Sequence, residues 1–256
     1  MTQKQALVFA AAGAVGSAVA RRLAADGLAV HLSGRGPDSV AGLAGEIQAA
    51  GGTAACGIVD ATDDGAVGAW VDGIVRETGR IDVVFNAIGL RCAEAGYATR
   101  STTLPLRQFL LPLATITGSH FLTARHAARH MIPQASGSIV LLSASLAALF
   151  VPCMAGITAA CGAIEAMTRS LAAELGPHGV RVNCVRAAGM PSTRTIQETA
   201  ARMRETLGPP ATPPRPGVLG RSVTPDDVAA AVSHLASERA GAITGQVLNV
   251  CAGEVV

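Results

Sequence analysis

Short apolar runs alternate with stretches of helical period along almost the whole chain. Residues 6–10, 29–33, 53–59, 81–86, 138–143, 180–186 and 246–250 read as strands. Helical patterns fill the intervals at about 15–26, 39–50, 64–78, 106–131 and 154–175. A last helix opens at Thr224-Pro225-Asp226-Asp227, where a threonine cap precedes proline at the first helical position. The early strands are apolar on both faces, as strands are when helices cover the sheet on each side. The alternation predicts an α/β fold: one Rossmann-like domain over residues 1–256, with a doubly wound parallel sheet of about seven strands. Pro112 sits early in the long helix and is expected to kink its first turns. The stretch 91–105 reads as a loop, and 190–220, rich in Pro, Thr and Arg, as a mobile lid segment over a substrate pocket.

Composition supports this picture and removes several function classes. A hydrophobic fraction of 50% against 15% charge permits a large core and argues against disorder. Net charge is +2 with no dense basic cluster, and aromatic residues are 3% of the chain, so nucleic-acid binding has neither an electrostatic footprint nor stacking platforms. The six cysteines (Cys56, Cys92, Cys153, Cys161, Cys184, Cys251) form no CxxC pair and no zinc spacing, so free thiols in a reducing cytoplasm and no metal are expected. The first five residues lead straight into a strand, so no signal peptide is expected. Residues 131–164 carry no charge at all. Ser143, Ser145, Pro152, Gly156 and Gly162 divide that run into strand, loop and helix, which predicts buried core rather than a membrane span.

Three stretches carry a family likeness. The run from Thr168-Arg169-Ser170-Leu171 through Glu174-Leu175-Gly176-Pro177 to Val182-Asn183 resembles the passage that follows the active-site lysine in the short-chain dehydrogenase/reductase superfamily. Thr224–Ala229 and Ile243–Val250 resemble its closing helix and strand, and Ile81-Asp82-Val83-Val84-Phe85-Asn86 with Gly89 its fourth strand and following motif. The resemblance spans essentially the whole chain. It implies a nicotinamide dinucleotide, a small-molecule substrate, and a homodimer or homotetramer in which the two long helices pair across a two-fold axis. The small residues Ala124, Ala127 and Ala128, and Ala159, Ala163 and Ala166, suit such pairing and suit internal packing equally.

The chain departs from that family first in its glycine loop. The pattern TGxxxGxG falls on residues 9–16, so Ala10 and Ala14 stand in place of two glycines, Gly16 remains, and Gly13 lies beside it. Such glycines allow a tight turn and bring backbone N–H groups to a pyrophosphate at a helix N-terminus. The Ala14 Cβ is expected to intrude there, and the loop leaves nucleotide binding and plain helix–sheet packing both open. Strand two ends at Ser33-Gly34-Arg35 without an acid, which favours NADP(H) if a dinucleotide binds, with Arg35 pairing the 2′-phosphate. A solvated loop arginine is the alternative. By the same resemblance Asp60 falls where an aspartate contacts adenine, and Asn86 where an asparagine lines the cofactor cleft.

The reactive positions depart together. The family's serine, tyrosine and lysine fall on Ala144, Ile157 and Cys161, and its structural asparagine on Thr115. In the family the tyrosine exchanges the carbonyl proton, the lysine lowers its pKa, and the serine orients the substrate. The candidates left are Ser143 and Ser145, which enter the pocket only if the strand ends in a bulge, and Cys161, which has no base nearby in sequence. Tyr97, the only tyrosine, lies in the loop after the fourth strand, as a relocated phenol or a lid residue. His120 reads as a packing or interface histidine. Arg186 and Arg91 lie at the carboxyl edge, where either is placed to hold a carboxylate or phosphate. The expected pocket is lined by Ala144, Met154, Ile157, Cys161, Arg186 and Met190.

Three functions follow from these readings. The first is a small-molecule enzyme with a non-standard site, either NADP(H)-assisted redox or cyclisation or isomerisation by orientation in an apolar pocket. The second is a catalytically silent binding or scaffold subunit. The third is ordinary NADPH-dependent carbonyl reduction, which the resemblance implies and the residues oppose.

Overall fold

The structure, a computed structural model, describes residues 3–209 and 217–254. Seven strands, β1 (Gln5–Phe9), β2 (Ala29–Gly34), β3 (Thr53–Ile58), β4 (Val83–Asn86), β5 (Gly137–Ala144), β6 (Val180–Ala187) and β7 (Val247–Val250), form one parallel sheet in the order β3-β2-β1-β4-β5-β6-β7. The order reverses between β1 and β4, which pair with Phe9 opposite Asn86. In open α/β sheets the crevice outside the carboxyl ends at such a reversal is where ligands sit.

Alternate strand residues feed two cores. Val8, Leu32, Phe85, Val140 and Val185 face one way, against α1 (Ala14–Ala25), α2 (Pro37–Ala49) and α8 (Pro225–Ala236). Leu7, Phe9, Val84, Ile139, Leu141 and Val182 face the other, against α3 (Asp64–Thr78), α5 (Gly118–Gln134) and α6 (Ala155–Leu175). Local chemistry fixes the helix ends. Asp63 accepts from the Ala66 N–H at 2.9 Å to start α3, and Gly79, at φ 79°, stops it. Thr224 and Asp227 close a reciprocal capping box on α8.

The long helix expected at 106–131 is present but interrupted. A short α4 (Leu106–Pro112) passes into a π turn at Leu113–Thr117, and α5 then runs on to Gln134. Pro112 supplies no N–H, so the regular ladder loses a donor at the point where the wider turn begins. Within the segment 190–220, residues Arg194–Leu207 form a helix, α7, hidden in the sequence by its polar composition; residues 210–216 of the expected lid lie outside the described residues. Of the small residues that suit either helix pairing or internal packing, Ala124, Ala127 and Ala128 are buried inside the domain, whereas Ala159 and Ala163 are half-buried and Ala166 is exposed. The uncharged run 131–164 divides into the end of α5, β5, a loop and the start of α6. No helix among the described residues is long and apolar enough to cross a membrane.

Candidate active site

The turn from β1 into α1 keeps the shape of a glycine loop without two of its glycines. Ala10 adopts φ 53°, the left-handed region that glycine usually occupies. Gly16 cannot change: a Cβ there would lie 2.5 Å from the Ala10 carbonyl oxygen. Gly13 caps α1 in extended conformation with no side-chain cap, and Ala14 is exposed at the first helical position. The Ala11 N–H donates to the Ser33 carbonyl at 2.9 Å, which ties this turn to the end of β2.

Around it lie the other nucleotide candidates. Ser33 is fully buried and its hydroxyl has no partner among the described residues, while Arg35 is exposed and makes no direct ion pair among them. Asp60 accepts from the Thr62 hydroxyl at 2.7 Å and the Thr62 N–H at 2.9 Å; these bonds hold its carboxyl below the usual range, with Arg35 adding its charge. Gly89 opens onto empty space, since a Cβ there would meet nothing within 4 Å. Asn86 is committed elsewhere. Its Nδ2 donates to Ser119 at 3.2 Å and Thr123 at 3.3 Å, and its Oδ1 accepts from the Ile88 N–H at 2.8 Å. It therefore joins the end of β4 to α5 rather than presenting its amide to the crevice.

At the carboxyl ends of β4 and β5 the structure brings Ala144, Met154, Ile157 and Cys161 into one apolar cluster, joined by Cys92, Ala95 and Tyr97 from the loop after β4. Met190 does not join them; it packs into the core on the opposite face with Val223 and Cys251. Tyr97 is 5% exposed, and its hydroxyl bonds to no described residue. Burial drives the phenol well above its ordinary pKa, with the Cys161 and Cys92 thiols adding to the effect. Burial likewise pushes the Cys161 thiol up to about 11, so it is a thiol and not a thiolate near neutrality. Thr115 lies within the π turn, but Thr117 is the residue that reaches α6, donating to the Ala160 carbonyl at 3.3 Å. His120 is enclosed rather than at an interface: it is 1% exposed, and burial lowers its pKa to about 4, against a smaller opposing effect from the Leu142 backbone.

Ser143 and Arg186 belong to a buried polar chain behind that cluster. Ser143 donates to Glu165 Oε1 at 2.8 Å, and Arg186 meets the same carboxylate through Nε at 2.7 Å and Nη2 at 2.5 Å. Arg186 Nη1 also donates to Asn249 at 3.1 Å. The expectation that Arg186 holds an incoming anion is corrected, because its anion is Glu165. Ser145, at the start of a 3₁₀ turn, keeps a buried hydroxyl without a partner. Arg91 is exposed at the head of the loop.

Two facts were open to a sequence reading and were missed. Glu165 is an acid four residues after Cys161 in an apolar helix, hence one turn below it on the same face. The chain also holds a single lysine, Lys4, at the amino end of β1 in an ion pair with Glu238 at 2.7 Å. Its only tyrosine, Tyr97, lies at the carboxyl edge, so a tyrosine and a lysine never meet.

A seven-stranded parallel sheet with helices on both faces, its strand order reversing between β1 and β4, defines a Rossmann-type α/β domain. The family model described as enoyl-(acyl carrier protein) reductase matches residues 10–254, and the chain belongs to the short-chain dehydrogenase/reductase superfamily. It is 34% identical over 251 residues to the short-chain reductase protein NovJ of Streptomyces niveus, covering 97% of this chain and 92% of that one. It is 32% identical over 253 residues to the cis-4-hydroxycyclohexanecarboxylate dehydrogenase of Sinomonas cyclohexanicum, covering 98% and 96%. A crystal structure of an actinorhodin polyketide ketoreductase variant with NADPH superposes with a TM-score of 0.87 at 26% identity, over 98% of this chain and 96% of that one.

Proposed function

We propose that this chain is an NADP(H)-binding small-molecule enzyme whose chemistry does not use a tyrosine–lysine pair. One observation carries the reading: the sole tyrosine stands in the apolar cluster at the carboxyl edge, while the sole lysine is ion-paired to Glu238 at the amino edge. Without a nearby ammonium, nothing lowers the Tyr97 phenol toward the range in which it trades a proton at neutral pH.

The residues around the glycine turn fit a dinucleotide. The first turn of α1 has no side-chain cap, the Ser33 hydroxyl is buried without a partner among the described residues, Arg35 is exposed without an ion pair among them, and Gly89 faces open space. Arg35 would hold a 2′-phosphate, and Asp60 would lie toward the adenine side. Bound NADP(H) supplies hydride transfer. The protein's own part is to orient an apolar substrate against Ala144, Met154, Ile157 and Cys161 and to exclude water from most of it, leaving any proton to come from solvent at the mouth. The same walls serve a cyclisation or isomerisation that needs no proton donor. A cytoplasmic homodimer or homotetramer is the assembly we propose, with the half-open Ala159–Ala163 flank of α6 as a contact.

The reductase and dehydrogenase names of the relatives favour a second reading, ordinary NADPH-dependent carbonyl reduction. A spectrophotometric assay of NADPH consumption with a set of simple ketones separates the two. Our reading expects no turnover above background with those ketones. Turnover at rates ordinary for reductases of this family would establish the second reading instead. A protein that binds no nucleotide and no small molecule would be the silent scaffold subunit.

A further inference from the structure

The chain covers the carboxyl ends of β4 and β5 with a side chain of its own. The stretch after β4 turns inward at Tyr97, which is flanked by Gly96 at φ 66° and Ala98 at φ 60°. A left-handed alanine persists only where the contacts around it hold it in place. Cys92, Ala95, Tyr97 and Ala98 are all buried, and Tyr97 shares one apolar cluster with Ile157 and Cys161. Burial raises the pKa of the phenol, and the Cys161 and Cys92 thiols raise it further, so the ring lies close to both sulfurs. Burial also raises the Cys161 thiol, against a smaller opposing hydrogen bond from the Ala144 backbone. Tyr97 therefore stands over the junction of β5 and α6, where Ala144 and Cys161 take the places of the family's serine and lysine.

The outer side of this stretch is tied to α7 by polar contacts. The Cys92 sulfur lies 2.9 Å from Thr199 Oγ1 and donates to the Thr195 carbonyl at 3.4 Å. Thr206 Oγ1 donates to the Ala98 carbonyl at 2.7 Å, and Arg100 Nη2 to the Thr206 carbonyl at 3.3 Å. The helix itself is lightly held, since none of its residues is buried. Its amino end is tied to the chain leaving β6, where Thr193 Oγ1 donates to the Met190 carbonyl at 2.8 Å and Gln197 Nε2 to the Pro191 carbonyl at 3.1 Å. A segment with little buried apolar surface opens locally at far lower cost than the domain unfolds. Lifting α7 removes the hydrogen bonds that hold the stretch 92–98 from outside.

We propose that residues 92–98 are a strap that closes over Cys161, and that α7 is the latch that keeps the strap closed. A molecule reaches the apolar cluster only after the latch lifts and Tyr97 swings out. That consequence rests on the reading that the cluster takes a small molecule; the motion does not, and the ligand-free chain reports it. The test is the rate at which N-ethylmaleimide alkylates Cys161 and Cys184 in the native full chain, followed by peptide mass spectrometry. Cys184 is fully buried in β6 and reports opening of the whole domain. Thr199→Val with Thr206→Val removes both latch hydroxyls, and is expected to speed alkylation of Cys161 by about fivefold or more while Cys184 changes by less than about twofold. Thr199→Cys sets a second thiol opposite Cys92. Once oxidised, that disulfide is expected to slow Cys161 by about fivefold or more, and reduction to restore the rate. Alkylation of Cys161 and Cys184 in step through the parent and both variants overturns the proposal, because Cys161 is then reached only by global unfolding. A Cys161 rate indifferent to both changes overturns it as well. NADPH titrated into the same samples reports on the cofactor reading separately, so either idea can fail while the other stands.

Discussion

Glu165 and Arg186 meet face to face behind the apolar cluster, with two N–H···O contacts of 2.7 and 2.5 Å, and neither has another ionic partner among the described residues. The pair joins α6 to β6, Ser143 extends it to β5 and Asn249 to β7. It holds the helix that carries Ile157 and Cys161 in register with the strands beneath.

Removing one partner of a buried pair leaves the other charge uncompensated. Glu165→Leu is expected to cost about 3 kcal/mol, and Glu165→Leu with Arg186→Met less than either single change. Urea denaturation of the two single variants and the double variant checks this. Additive losses would show that the pair does not act as a unit.

The turn at the head of α1 makes an opposite pair of expectations. Gly16→Ala drives a methyl against the Ala10 carbonyl and is expected to cost about 2–3 kcal/mol. Ala10→Gly relieves a left-handed alanine and is expected to change stability by no more than about 1 kcal/mol, in the favourable direction. Melting curves of the two variants should move to opposite sides of the parent.

His120 links stability to pH. Its folded pKa, about 4, lies below the ordinary 6.5, so the unfolded chain binds more protons between those values. The contribution is complete above pH 6.5 and is lost as pH falls toward 4, by a total on the order of 3 kcal/mol. Denaturation midpoints at pH 7.5, 5.5 and 4.5, compared with those of His120→Leu, isolate it. Parallel slopes for parent and variant would refute the assignment.

Arg35 is expected to set the choice of dinucleotide. Arg35→Ala should weaken NADPH binding at least tenfold and leave NADH nearly unchanged, because only the former carries the 2′-phosphate. Fluorescence titration of both cofactors gives the ratio directly.

The fold was legible because strand and helix periods alternate cleanly: β6 and α6 deviate from their expected bounds by one residue at one end, and β5 by one residue at each end. The π turn was foreshadowed by Pro112, but a proline alone does not say whether a helix kinks or widens. The α7 helix was not legible, since its residues are polar and its inner side makes hydrogen bonds instead of burying an apolar stripe. Ala144, Ile157 and Cys161, singled out in the sequence, fall in the same apolar core on the α6 side of the sheet. The sequence could not show that Asn86 turns its amide to α5, or that Arg186 already has its anion. Those facts depend on which side chains meet across elements far apart in the chain.

The most direct test of the account is a calorimetric titration of the purified protein with NADPH and NADH. Micromolar NADPH binding, with NADH at least tenfold weaker, is the predicted result and would show that Ala10 and Ala14 leave the crevice usable. Equal affinity for the two would contradict the role given to Arg35, and no binding of either would contradict a nucleotide-dependent enzyme altogether.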